Sequence, residues 1–425
     1  MTRRPTRREY LLSLGVTGAA GLAGCNTTET GAPTGTETAT DAETATPTAT
    51  ETGAPDETPE EEPEPEPEEP IAEESISGWP MFGANPARTR AALEETGPTE
   101  DVVTRWEFRA DNIIQTSPAV VDDTVYVGSH DGYVYAIDAA DGSRQWRFEA
   151  GDVVRSSPAV VDDTVYVGSH DGYVYAIDAA DGSRQWRFEA GDAVQSSPAV
   201  VDGTVYVGSD DGYVYAIDTA DGSQQWRFQT RGPVQASPAV ADGTVYAGSL
   251  DRRAYALDTA DGSQQWSVDT GKYVFNAPTV ADGIVYISTS DRTEGTLLGL
   301  STADGSQQWR YQSFTPRGQT VAVADGTIYL GTTHEDIFAL DAATRAEQWR
   351  YRPGDWLMAE LSVVDGTVYA GCGDGTVRAL DTSDGTERWT VDTGNLIRTP
   401  PTVVDGIVYV GNYNDTVSAI ATEER

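Results

Sequence analysis

From Ser117 onward the chain alternates short apolar runs with turn residues in a fixed order. "SPAVV" is followed by "TVYVGS", then "YVYAID", then "RQWRFE", and the order begins again. Runs of five or six residues rich in Val, Ile, Tyr and Phe, bounded by Gly, Asp and Ser, predict strands. No helical period is visible in any unit. Asp122-Asp123, replaced by Asp-Gly in later copies, predicts a two-residue hairpin between the first and second strands. "AADGS" joins the third strand to the fourth. The unit is therefore a four-stranded meander of about 40 residues, the size of a propeller blade. Repetition is literal in places: Ser117 to Asp152 recurs without change as Ser157 to Asp192. An enzyme site is asymmetric and uses each special residue once, so verbatim copying points to a modular solid.

Tryptophan fixes the number of units. Trp106, Trp146, Trp186, Trp226, Trp266, Trp309, Trp349 and Trp389 each stand in the fourth strand of a unit. One blade cannot cover its own faces, and the indole is the natural bolt to its neighbour. Burying one indole is worth up to ~4–6 kcal/mol by area. The ends are incomplete in a complementary way. Trp106 lies in a fourth strand with no first three before it. The last repeat, "TPPTVVDGIVYVGNYNDTVSAIATEER", has three strands and no tryptophan. The expected fold is all-β: an eight-bladed β-propeller of four-stranded antiparallel blades over 104–422, with the N-terminal strand completing the last blade. Closure of this kind removes open sheet edges.

"AIDAADGSRQW" (Ala136 to Trp146), "AIDTADGSQQW" (Ala216 to Trp226) and "ALDTSDGTERW" (Ala379 to Trp389) resemble the tryptophan-docking motif of PQQ-like, quinoprotein-type propellers. Two copies depart from it: one has Ser301 in place of Asp, and another has Arg345 in place of Gly. WD40 repeats are a poorer match, because their Trp-Asp pair is missing. The resemblance implies the same eight-bladed fold. It also implies one of two functions, because the family holds both PQQ-dependent dehydrogenases and BamB-type assembly lipoproteins, which are non-catalytic and membrane-anchored. The latter are the closer likeness, and "WPMFGANPARTR" resembles their N-terminal lead-in.

Three segments precede the blades. Residues 1–25 resemble a twin-arginine export signal, with Arg7-Arg8 before Tyr10, Leu11 and Leu12; they end in "LAGC", a lipobox with Cys25 as the lipidated residue. Residues 26–75 hold 16 acids, no base and no aromatic residue among Thr, Glu and Pro. Such a stretch buries too little to offset its ordering entropy and is expected to be a disordered, extended linker. Residues 76–103, with Trp79, Met81 and Phe82, are expected to form a docking strap. Together these place the protein on the outer face of the cytoplasmic membrane, exported folded by the twin-arginine route and held there by its lipid.

Charge narrows the partners. The chain carries 68 acidic against 28 basic residues, a formal charge of −40, and its one lysine is Lys272. This is a halophilic composition, tolerable where the Debye length is ~3 Å at 1 M salt. With no basic stripe, no nucleic-acid partner is expected. Cys25 and Cys372 are too few for a disulfide framework. A monomer is expected.

The repeats also act as their own control for function. The Asp-Gly and "AADGS" turns scarcely change and share one face of the propeller. The loops on the other face diverge, and a partner is expected there. The richest arc offers Arg231, Arg252, Arg253, Lys272, Tyr273, Phe275, Phe314, Arg317, Trp356 and Met358. Arginine and aromatic residues on an acidic domain suit a protein-binding hot spot. No catalytic, metal or cofactor-binding residue is assigned. His130, His170 and His334 stand in separate blades, which argues against a zinc site. The dehydrogenase alternative would require PQQ, a bound Ca²⁺ and an Asp base, and the alcohol-oxidising members add a vicinal cysteine pair that this chain lacks. Its ligands would come from Asp355, Glu360, Asn395 and Asn412. A further alternative is binding of a cell-surface glycan or envelope polymer on the same face.

Overall fold

Asp122 and Asp123 both take positive φ, 48° and 58°, and close a two-residue turn between Ala119–Val121 and Thr124–Gly128. Where Gly follows, as at Asp202-Gly203, the same turn forms with φ of 48° and 70°. This left-handed pair matches the twist of the flanking strands, which is why the hairpin recurs in every unit. The computed structural model describes residues 78–92, 94–99, 101–291, 294–313, 321–332, 336–352 and 361–423.

Within residues 73–425, a single compact unit, the strands form eight separate four-stranded antiparallel sheets. Blade 1 is Ala119–Val121, Thr124–Gly128, Tyr133–Asp138 and Arg144–Glu149. Blades 2 to 7 repeat this order along the chain, their inner strands beginning at Ala159, Ala199, Ala239, Thr279, Val321 and Leu361. Blade 8 takes Thr402–Val404, Ile407–Gly411 and Thr416–Thr422 from the C-terminus, and its outer strand, Val102–Arg109, from the N-terminal side. That seam runs from Val102 opposite Thr422 to Arg109 opposite Thr416. The chain is thus an eight-bladed propeller closed by its own first strand.

Between blades the tryptophan behaves as a directional peg. The indole Nε1 of Trp146 donates to the Ala179 carbonyl of the next blade at 2.8 Å, and Trp186 to Thr219 at 2.7 Å. The indole lies flat on the glycine of that blade's third-to-fourth turn. A Cβ on Gly182 would meet Trp146 at 2.8 Å, so only glycine fits. Trp389 has no such turn ahead of it, because blade 8 is built from both chain ends. The strap substitutes: Pro98 supplies the carbonyl, at 2.9 Å.

The strap does more than fill a gap. Its backbone runs round the inside of the ring and bonds the inner strands near their constant-turn ends. Trp79 pairs with Val120, and Pro80, Pro86, Ala87, Thr89 and Arg90 accept from Val160, Val240, Val280, Val323 and Val363. Thr96 accepts from Gly406 in blade 8. Blade 3 is reached by a side chain instead, as buried Arg88 donates to the carbonyls of Ser197 and Pro198 at 3.0 and 2.8 Å, and to Pro238 of blade 4 at 3.1 Å. All eight blades are therefore tied to one segment. Inner-strand donors that face a channel must find partners, and the strap supplies them.

Candidate functional site: the divergent face

Strand direction alternates within a blade. The first-to-second and third-to-fourth turns therefore share one face, and the second-to-third turns share the opposite face with the inter-blade loops. On that second face the structure separates scaffold from variation more finely than the loops as a whole. Asp131, Asp171, Asp211 and Asp251, each the second residue of its turn, do one structural job. Asp171 accepts from the Tyr173 backbone at 3.0 Å, the Tyr175 hydroxyl at 2.5 Å and the amide of Gly151 in the preceding inter-blade loop at 2.7 Å. Asp211 repeats all three contacts with Tyr213, Tyr215 and Gly191. In blade 7, Arg378 replaces the tyrosine and reaches Asp374 at 2.7 Å. These carboxylates hold loops and are not available for chemistry.

The expected hot-spot residues fall into three groups. Arg252, Tyr273 and Phe275 meet: the Arg252 guanidinium lies 5.1 Å from the Tyr273 ring centroid, and Tyr273 and Phe275 are 5.7 Å apart. Phe275 is 44% exposed, one of two exposed large apolar side chains among the described residues. Arg231 is exposed beside them on the preceding inter-blade loop, its amide held by Asp251 at 2.9 Å. Two others are engaged internally. Lys272 pairs with Glu294 at 3.1 Å and Asp291 at 3.5 Å, and borders a cleft of about 390 Å³ with Val268, Leu298 and Arg310. Arg253 turns toward its own blade's outer strand and donates to the Ser267 hydroxyl at 2.8 Å. Phe314, Arg317, Trp356 and Met358 lie outside the described residues, as does Cys25.

The ligand set of the dehydrogenase alternative does not fit a metal–cofactor site in the part that is described. Buried Asn412 spends its carbonyl oxygen on the amides of Asn414 and Thr416, at 2.9 and 3.2 Å, and its amide on the Thr393 carbonyl at 3.4 Å. Asn395 donates to Asn414 at 2.9 Å and caps Leu396. Both asparagines are loop clamps; Asp355 and Glu360 lie outside the described residues. Cys372 is buried at the position of Ser129, and burial pushes its thiol up to about 11, which leaves it a poor nucleophile. Among the described residues no group of three or more His, Cys, Asp and Glu side chains is placed to hold a metal ion.

A second feature of this face was not apparent from sequence. In three places the residue four positions ahead of an inner strand reaches the first residue of a second-to-third turn. Gln195 and Gln235 both donate to Asp210, at 2.6 and 2.9 Å, one from the same blade and one from the next. Arg398 donates to the Tyr413 hydroxyl at 2.8 Å in the same way. In blades 1 and 2 the equivalent positions are His130, Arg155 and His170. Superposing the copies by residue position, rather than comparing loop composition, would have found them.

Eight closed blades pinned by tryptophan define the chain as a PQQ-like β-propeller. A family model described as outer membrane protein assembly factor BamB matches it over 99–187, 170–274, 234–351 and 333–425, and the chain belongs to that family. Among solved structures it is similar to BamB from Moraxella catarrhalis, at 21% identity and a TM-score of 0.65, over 75% of this chain and 99% of that one. It is also similar to the quinohemoprotein alcohol dehydrogenase from Comamonas testosteroni, at 17% identity and a TM-score of 0.69, over 82% and 81%. The computationally designed Ika8 protein is similar too, at 17% identity and a TM-score of 0.66, over 78% and 99%. At these identities the likeness is one of fold. No curated protein matches the chain in sequence.

Proposed function

We propose that this protein is an extracytoplasmic, lipid-anchored propeller that serves as a non-catalytic platform for docking or assembling another protein. The observation that carries the reading is the Arg252–Tyr273–Phe275 cluster, an exposed aromatic and cationic surface on an acidic chain. Arginine and aromatic side chains supply most of the binding energy at protein interfaces. Membership of the BamB family supports the same reading. Phe314, Arg317, Trp356 and Met358 would extend the surface across blades 5 to 7. The twin-arginine motif, Cys25 and the linker over 26–75 would hold the platform on the outer face of the cytoplasmic membrane, well clear of the lipid.

The test is cross-linking in native envelopes at high salt, comparing wild type with a Tyr273→Ser, Phe275→Ser, Trp356→Ser variant. The reading expects specific protein adducts that vanish in the variant while its melting curve is unchanged. Adducts that persist in the variant would refute it. Cys25→Ser should move the protein from the membrane to the soluble fraction.

A further inference from the structure

Asp210 shows what the divergent face does with a negative charge. Its two oxygens are taken by the side-chain amides of Gln195 and Gln235, which approach from either side along the channel mouth. In blades 1 and 2 the position of Asp210 is taken by His130 and His170, and Arg155 acts on both. Arg155 stands where Gln195 and Gln235 stand, four residues ahead of an inner strand. By the geometry of those copies it lies between His130 of blade 1 and His170 of blade 2. Both histidines are fixed from behind: His130 donates its amide to the Ile113 carbonyl at 2.9 Å, and His170 to Val153 at 3.0 Å. The Nε2 atoms of both are buried and have no hydrogen-bond partner. Arg155 is exposed and makes no ion pair or hydrogen bond among the described residues.

The neighbouring carboxylates do not fill the role. Asp131 accepts from the Tyr133 amide, the Tyr135 hydroxyl and the Asp111 amide. Asp171 is held by Tyr173, Tyr175 and Gly151, and Asp152 caps the Val153 amide at 2.7 Å. Asp210, which also acts on His170, has its oxygens on Gln195 and Gln235, so each of these carboxylates is already committed.

We propose that His130, Arg155 and His170 form a binding subsite for the carboxylate group of a ligand, which supplies the negative charge that Asp210 supplies in blade 3. A guanidinium fork matches a planar carboxylate better than a spherical ion. Imidazole nitrogens on both sides donate once protonated, and burial together with the charge on Arg155 keeps His130 neutral until an anion arrives. The subsite lies on blades 1 and 2, apart from the Arg252–Tyr273–Phe275 cluster, and does not depend on the docking function proposed above.

The chain has three histidines, so its imidazole ¹⁵N spectrum is simple, and His334 serves as an internal reference. The full-length protein is titrated with glucuronate replacing chloride at constant sodium, with glucose as the neutral control. The His130 and His170 Nε2 signals should shift saturably with glucuronate, and not with glucose, while His334 stays in place. Arg155→Gln installs the residue that blades 3 and 4 already carry, so the fold is retained and the response should be lost. No shift relative to chloride, an equal shift with glucose, or an unchanged response in Arg155→Gln would overturn the assignment.

Discussion

The Arg345 guanidinium lies 4.9 Å from the centroid of the Trp309 indole, at the turn position where six other blades place a glycine against the preceding tryptophan. Those six glycines have no room for a side chain, since a Cβ would meet the indole at 2.5 to 2.8 Å. Arg345 therefore excludes Trp309 from the usual slot. The indole has turned onto Gly299, where a Cβ would lie 2.3 Å from its ring, and the other described copies that pair a third-strand residue with the tryptophan have alanine there. Its Nε1 has lost the carbonyl that the other seven find. Gly299 and Arg345 are thus two halves of one local rearrangement.

A double-mutant cycle tests this. Gly299→Ala alone should cost about 1–3 kcal/mol by overpacking. Combined with Arg345→Gly, the indole regains its slot and most of that cost should disappear, a coupling of about 0.5–3 kcal/mol. Strict additivity in urea unfolding would show that the two substitutions are unrelated.

Arg88 is the strap's deepest anchor. It donates to carbonyls of Phe82, Ser197, Pro198 and Pro238 and packs over Phe82. Arg88→Met leaves several buried carbonyls without donors, at about 1–3 kcal/mol each, so a loss of roughly 3 kcal/mol or more is expected. Arg88→Lys should recover only part of it, because a point charge cannot span the same fork. Wild-type stability in Arg88→Met would mean that the strap lies on the ring without bracing it.

His130 gives a pH signature. Burial, then Arg155 and His170, push its pKa down from 6.5 to about 4. An unfolded histidine takes a proton near pH 6.5, and the folded one does so only near pH 4. As pH falls through that window the unfolded state binds more protons and stability declines. Carboxylates titrate in the same range, so the measurement is the difference between wild type and His130→Gln. Wild type should lose stability more steeply between pH 6.5 and 4. Parallel curves would show that His130 is not held neutral by the fold.

The blades were legible in sequence because strand period, hairpin chemistry and tryptophan spacing agree at every copy. The incomplete first and last repeats carried the closure as well. The path of the strap was not legible, because nearly all its bonds run between backbones, and Arg88 and Arg90 look like surface arginines until their burial is seen. The divergent face was legible as a region but not residue by residue. Arg253 and Arg252 are neighbours in sequence, yet one binds its own blade and the other stacks on Tyr273. Direction along a strand decides that, and composition does not. Asp131, Asp171, Asp211 and Asp251 are constant in turns whose first residue varies, so the divergence of the loops as a whole concealed a fixed position.

Closure of the ring by Val102–Arg109 against Thr416–Thr422 underlies everything above, and native-state hydrogen exchange reads it strand by strand. Amides of Val102–Arg109 should exchange as slowly as those of Arg144–Glu149, the outer strand of blade 1. Exchange of Val102–Arg109 at the rate of unpaired loops, with the other outer strands still protected, would contradict the closed ring.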